Sequence, residues 1–416
     1  MDYPCNPAIP GHLIVLFMRQ NEFAVNFFAQ PDVSGPEGYV RILAQMTQSL
    51  SEKDIDISNT AYESYLIEVD HGEELLKINW IQMEYYKFLF SDENNFAQFN
   101  RQYMLNNWRF FALTIDRNSP YTLNSPPHFS YGFSPTHTTN MGIINPSGKA
   151  SSSPAPVALI DSGIDALLGA NIVGNQSFVT DSLGVLLTPD DENGHGTQMA
   201  QIISELSPKV EIYNYRVADI SGDLFEWALL SALFTTLVDD SQIINLSLSQ
   251  GISQDNDCGD CGLAIKQARS LVLELVVQEV YSKGKLLIGA AGNAGLAELN
   301  YPAKIEMVLA ICSINTGSQI SDFSNFGTDA YKTLTGVIPH KHVYVAPGGN
   351  RSPSESIFSS TGYYGTSHAA AYASGAISVL WGNNPSWSLA DLLDHLDTTY
   401  NVSMVSRGST WRRIKI

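Results

Sequence analysis

Residues 365–382 read GTSHAAAYASGAISVLWG, a glycine, threonine and serine leading into a run of Ala, Ser and Gly. Such small side chains can form a helix, and their lack of bulk lets it pass through the middle of a core with neighbours on every side. Ser367 falls in the first turn, where unsatisfied N–H groups and the positive end of the dipole favour negative charge. That place suits an alcohol with an oxyanion beside it. A buried helix with a serine cap is the other reading of the same residues.

Outward from this stretch, the preceding two hundred residues alternate strand and helix. VALID, EIYNYRV, IINLSL, KLLIGAAG and MVLAICSI are continuous apolar strands. Helical segments begin near His195, at LFEWALLSALFTTLV and at LAIKQARSLVLELVVQEVYSKG, where Ile265, Ala268, Val272, Leu275, Val276 and Val280 share one face. Continuous apolar strands between helices imply an α/β fold with a doubly wound, mostly parallel sheet covered on both faces. Sites in such sheets form at the C-terminal strand ends.

Three further residues lie at such ends. Asp161 closes the VALID strand and reads as a helix cap, a metal ligand or a catalytic orienter. His195 stands between two glycines at a helix start, and Asn293 follows a strand in a Gly/Ala-rich turn. Each alone has a bland structural reading. Together, Asp, His and Ser at the mouth of one sheet are the three types that acyl transfer needs. Ser367 would attack a carbonyl, His195 would carry its proton, and Asp161 would fix the imidazole tautomer. Asn293 would donate to the oxyanion with the Ser367 N–H.

Each surrounding motif resembles one of the subtilisin-like serine proteases (subtilases, peptidase family S8): DSGID, NGHGT, NLSLSQG, AAGN, YPA, FSNFG, VAPG and GTSHAA, with Asp, His and Ser in the subtilisin order. The resemblance implies that Ser247, Leu248 and Ser249 pair with the substrate backbone. It also implies that Ala290, Ala291 and Gly292 line the pocket for the residue before the scissile bond. Such pairing takes an extended peptide or protein segment. There are departures: Gln198 stands where the family usually has His, and His368-Ala369-Ala370-Ala371-Tyr372 replaces a Met-Ala-Ala-Pro-His run. The short segment after His195 leaves no room for a calcium loop, so no metal and no cofactor is expected.

The chain divides into a propeptide-like α+β domain at 1–93, a linker or extension rich in Asn, Pro and Ser at 94–156, and a subtilisin-like catalytic domain at 157–416. The first has strands at Leu13–Met18 and Tyr65–Val69, helices over GYVRILAQMTQSL and HGEELLKINWI, and a last strand, EYYKFLF, that could enter the cleft and block it as in a zymogen. An insertion, GISQDNDCGDCG, carries Asp255, Asp257, Asp260, Cys258 and Cys261. Its CxxC reads as two ordinary thiols ahead of half a zinc site or a redox pair; its carboxylates read as a solvated acidic loop ahead of a cation site, and they predict a preference for basic residues near the cut.

The net charge of −19 argues against nucleic acid as partner, and no apolar run is long enough to span a membrane. Four scattered cysteines and the lack of a secretory signal pattern place the chain in the cytoplasm. The expected function is a serine endopeptidase acting through an acyl-enzyme, an intracellular processing protease for few substrates. A catalytically inactive peptide-binding pseudoprotease or a partner-recruiting scaffold is the alternative. Oligomeric state is left open.

Overall fold

The computed structural model describes residues 12–19, 25–29, 62–71, 74–84, 103–108, 110–117, 120–123, 132–181, 185–250, 270–327, 331–333, 336–338, 342–359, 362–399, 403–407 and 409–416. The chain forms two compact units, Met1–Ser119 with Gly259–Cys261 and Ala268–Leu275, and the remainder from Pro120 onward.

In the first unit β1 (His12–Arg19), β3 (Tyr62–His71), β4 (Glu74–Glu84) and β6 (Phe110–Arg117) form a sheet in the order β3-β4-β1-β6. Strands β2 (Val25–Ala29) and β5 (Tyr103–Trp108) pair separately and antiparallel. The strands expected at Leu13–Met18 and Tyr65–Val69 lie inside β1 and β3. The helix expected over HGEELLKINWI is instead β4, antiparallel to β3 from His71↔Glu74 to Tyr62↔Met83. Its Leu and Ile spacing suits a helix locally. The Gly-Glu pair between the strands has the composition of a two-residue hairpin loop, and ten paired residues outweigh local spacing. The expected helix at GYVRILAQMTQSL and the strand at EYYKFLF lie outside the described residues, except for Glu84.

The 94–156 stretch expected as a linker holds β5, β6, the short β7 (Pro120–Thr122) and helix α1 (Pro135–Ile144). Among its described residues, the last part, NPSGKASSSPAP, runs without helix or strand. The aromatic and Asn-rich stretch carries no periodic signal, yet β6 pairs with β1 across most of its length.

The second unit is built on a nine-stranded sheet. Its strands are β8 (Val157–Asp161), β9 (Ile172–Ser177), β10 (Ile212–Arg216), β12 (Ile243–Leu246), β13 (Leu286–Ala290), β14 (Val308–Ile314), β17 (Val343–Pro347), β18 (Ser403–Ser406) and β19 (Ser409–Arg413). They run in the order β18-β19-β17-β14-β13-β12-β8-β10-β9, all parallel to their neighbours except the β18–β19 pair. Every residue of β8, β12, β13, β14 and β17 is buried, as a sheet covered on both faces requires. Three short strands lie apart, β11 (Asp223–Phe225), β15 (Tyr331–Thr333) and β16 (Gly336–Ile338). This is the α/β, doubly wound, mostly parallel architecture that the sequence predicts.

Among the described residues the α-helices of this unit are α1, α2 (His195–Leu206), α3 (Glu226–Thr235), α5 (Thr366–Gly382) and α6 (Leu389–Thr399), and α4 (Leu271–Ser282) follows the insertion. Helix α5 is the GTSHAAAYASGAISVLWG stretch, and every residue from Thr366 to Trp381 is buried. Its small residues allow close approach. A Cβ on Gly375 would stand 2.9 Å from Leu206 Cβ and 3.2 Å from the Ile203 carbonyl of α2. Only a residue without a side chain fits that crossing. Among the described residues no helix is long and apolar enough to cross a membrane.

Candidate active site

Strand β8 ends at Asp161, and its carboxylate, fully buried, accepts the Ser162 N–H at 2.7 Å through Oδ1. The same Oδ1 lies 2.8 Å from Nδ1 of His195, the first residue of α2, with the two side chains 0% and 1% exposed. A carboxylate only accepts, so Nδ1 donates in this bond, and in the neutral ring Nε2 is the nitrogen with the lone pair. Nε2 is buried and without a hydrogen-bond partner among the described residues.

Why His195 stands there is visible in its loop. Gly194 caps α2 in the left-handed region at φ 97°, and a Cβ on Gly196 would lie 2.2 Å from the Gly163 carbonyl oxygen. The two glycines of GHG thus let the helix start press against the end of β8. Asp191 fixes the same turn. Its Oδ1 accepts from Asn193 N–H, Gly194 N–H and Ser162 Oγ, and its Oδ2 from Thr197 N–H and Oγ1. Arg216, at the end of β10 beside β8, is 1% exposed. Its guanidinium donates to the carbonyls of Thr188, Asp190 and Ala218 and to Glu192 Oε2 at 2.5 Å. Sequence reasoning does not single out Asp191 or Arg216. The signal available is a charged residue next to a strand end, which is common and unspecific.

Ser367 is the second residue of α5. Its Oγ donates to the Ser247 carbonyl at 3.0 Å, and Ser247 Oγ returns a bond to the Ser367 carbonyl, also at 3.0 Å. The hydroxyl is therefore directed at the end of β12 and is not bonded to His195. The adjoining His368 ring meets the His195 ring edge-on, with centroids 6.3 Å apart. Burial, and then the neighbouring His195, push the His368 pKa down to about 3, so its ring is neutral near pH 7. Both its nitrogens are buried without partners among the described residues.

Asn293 follows β13 and is half-buried. Its Oδ1 accepts from both Thr366 N–H and Thr366 Oγ1 at 2.9 Å, so the carbonyl end is held and the amide N–H end remains available to donate. A Cβ on Gly365 would lie 3.5 Å from Asn293 Nδ2, which brings the amide beside the start of α5. The structure thus brings Asp161 to His195 and Asn293 to the Ser367 turn, and links the two sets through the His195–His368 ring contact.

Ser247, Leu248 and Ser249 run on from β12, all buried, and Ala290, Ala291 and Gly292 run on from β13. Gly292 N–H donates to Thr366 Oγ1 at 3.1 Å. An extended segment already pairs with Ser249. The Thr122 N–H donates to the Ser249 carbonyl at 2.9 Å, and Ser249 N–H donates to the Thr122 carbonyl at 3.0 Å. On its other side β7 runs antiparallel to β11, with Thr122↔Asp223, Tyr121↔Leu224 and Pro120↔Phe225. Gln198 is buried in α2. Asp255, Asp257, Asp260, Cys258 and Cys261 lie outside the described residues. Cys312 is a buried free thiol whose pKa burial pushes up to about 12.

The subtilase family model matches residues 154–411. The thermostable alkaline protease of Halalkalibacterium halodurans is 26% identical over 295 residues, 68% of this chain and 71% of that protein. Subtilisin E of Bacillus subtilis is 28% identical over 258 residues, 58% of this chain and 59% of that protein, so the match spans under two thirds of its length. Among solved structures, a protease of Pseudoalteromonas arctica superposes with a TM-score of 0.53 at 18% identity, covering 69% of this chain and 97% of that one. At that identity the likeness speaks for the fold.

Proposed function

Because the chain belongs to the subtilase family of serine endopeptidases, we propose that it hydrolyses peptide bonds through an acyl-enzyme formed on Ser367. The observation that carries this reading is the 2.8 Å bond between Asp161 Oδ1 and His195 Nδ1, which leaves an unpartnered lone pair on Nε2. Ser367 Oγ turns from the Ser247 carbonyl, gives its proton to Nε2 and attacks the substrate carbonyl carbon. The resulting oxyanion takes bonds from the Ser367 N–H and the Asn293 side-chain amide. His195 then protonates the leaving amine, and water repeats the sequence to free the acid. The test is labelling of the full chain by a fluorophosphonate, with Ser367→Ala as comparison. Loss of labelling and of about a millionfold in kcat, the size established for subtilisin itself, is expected.

The peptide-binding pseudoprotease is the second reading. It is favoured by one observation, the Ser367 hydroxyl donating to Ser247 and not to His195. An unlabelled Ser367 in a folded chain would select it.

The cleft is further proposed to be held shut by the chain's own strand, as in a zymogen. Residues 120–122 lie between β11 and Ser249 as the middle strand of three, the place an extended peptide would take. The sequence points to EYYKFLFSDE for this role, whereas among the described residues the segment beside Ser249 is Pro120–Thr122. A processing role in the cytoplasm on few substrates completes the reading, supported by the scattered cysteines and by the free thiol of Cys312. Mass spectrometry of the purified chain, asking whether and where it is cut, tests it.

A further inference from the structure

Within β7, Tyr121 is 2% exposed, and its side chain reaches two polar groups beside the strand. Tyr121 Oη donates to Glu226 Oε2 at 3.4 Å and accepts from Gln250 Nε2 at 3.2 Å. Glu226 is fully buried at the first position of α3, where the helix dipole favours a negative charge. Gln250 is anchored through its backbone, with its N–H on the Tyr301 carbonyl at 2.9 Å and its carbonyl accepting from Asn300 Nδ2 at 3.1 Å. The backbones that carry both groups are therefore set in place by elements of the second unit.

We infer that Glu226 and Gln250 form a specificity site that reads a tyrosine hydroxyl in the substrate residue lying opposite Leu224. This rests on the peptidase reading above and on β7 marking the path of a bound peptide. The chemistry selects one side chain. A phenol donates to the carboxylate and accepts from the amide at once. Lysine and arginine can donate to Glu226 but have no acceptor for the Gln250 Nε2 hydrogen that the tyrosine hydroxyl takes. Phenylalanine fills the volume and gives neither bond, so it leaves buried polar groups without these partners. Serine and threonine are too short to reach. Backbone register adds the rest of the pattern. The next residue occupies the Thr122 place against Ser249, and the one after it the place of the buried Leu123, whose N–H donates to the Gly222 carbonyl at 3.1 Å. Preferred substrates accordingly carry Tyr-Xaa-Leu upstream of the cut.

The test uses the full chain and three octapeptides: the chain's own SPYTLNSP, residues 119–126, and the same peptide with Phe or Lys in place of Tyr. Sites built to bond a substrate hydroxyl reject the analogue lacking it strongly. The expected result is kcat/KM higher for Tyr than for either by about tenfold or more, shrinking to under about threefold in Gln250→Leu. Equal kcat/KM for Tyr and Phe overturns the inference. A second measurement needs no catalysis. In Tyr121→Phe the Thr122 and Ser249 amides should exchange hydrogen about tenfold faster than in the unaltered chain, and unchanged exchange also overturns it. If a fluorophosphonate leaves Ser367 unlabelled and no peptide is cut, in the intact chain and after it is nicked beyond Leu123, the peptidase reading fails. The exchange result then still decides whether Glu226 and Gln250 read a hydroxyl.

Discussion

Thr366 holds Asn293 by two bonds to a single oxygen: its N–H and its Oγ1 both lie 2.9 Å from Asn293 Oδ1. An amide has one accepting and one donating end, so fixing the oxygen aims the N–H2. The neighbour of the candidate nucleophile thereby orients the candidate oxyanion donor. Asn293→Ala is expected to lower kcat by roughly 10²–10³ with little change in KM, the loss established for one such donor in subtilisin. Thr366→Val, which keeps the shape and the backbone bond, should lose about tenfold, the size of one ordinary hydrogen bond. Steady-state kinetics on one peptide checks both, and an unchanged kcat in Asn293→Ala would return that residue to a turn role.

Gly196→Ala should abolish activity while leaving most of the fold. The added methyl would meet the Gly163 carbonyl oxygen at 2.2 Å and Asp161 Cβ at 3.2 Å, so the start of α2 must move away from β8. The Asp161–His195 bond spans that contact. Circular dichroism together with kcat/KM separates displacement of His195 from unfolding.

Asp191→Ala strands five donors that the carboxylate now accepts, from the turn 193–197 and from Ser162. Bonds to a charged acceptor contribute about 1.5–3 kcal/mol each, without simple additivity. A loss of about 3 kcal/mol or more in a denaturant titration is expected, with activity falling further than in a surface control such as Lys209→Ala.

Acid should destabilise the second unit through two buried histidines. Burial pushes His137 down to about 4, and burial followed by His195 pushes His368 down to about 3. Below the ordinary histidine value of about 6.5 the unfolded chain takes up protons that these rings refuse. The unfolded state then binds more protons, so stability rises with pH in this window. The stability is complete above about pH 6.5 and is lost progressively as the pH falls toward about 4 and then about 3. His368→Met should flatten the dependence of Tm on pH between about 6.5 and 4. An equally steep curve in that variant would remove His368 as a cause.

Motif residues are legible in the sequence because their types and order carry chemistry: Asp161, His195, Asn293 and Ser367 can each be named from the strand or helix end they occupy. The parallel sheet is legible because its strands are apolar without alternation. Supporting groups are not. Arg216 and Asp191 act through backbone carbonyls and amides supplied by a loop whose path only the folded chain defines. Strand β4 reads as a helix because Leu75, Ile78 and Ile81 recur three residues apart, a spacing that a hairpin arm also tolerates, and only the pairing with β3 decides. Pro120–Thr122 escapes notice as an added strand because three residues hold no period.

The crossing at Gly375 has a mechanical consequence. Helix α2 begins with His195 and α5 begins with Thr366 and Ser367, and at their crossing Gly375 contributes no side chain, so its backbone lies directly against Leu206 and the Ile203 carbonyl. Ser207 and Ser378 add a hydroxyl contact at 3.2 Å just beyond. Two rods clamped this tightly cannot slide or rock separately, since a packed interior transmits displacement. His195 and Ser367 therefore move as one stiff body. What yields when a peptide enters or leaves would lie elsewhere, and β11 is the candidate, because its ladder partner β7 lies on the path proposed above for the peptide. Turnover in such a molecule would be paced by the opening of that three-residue strand.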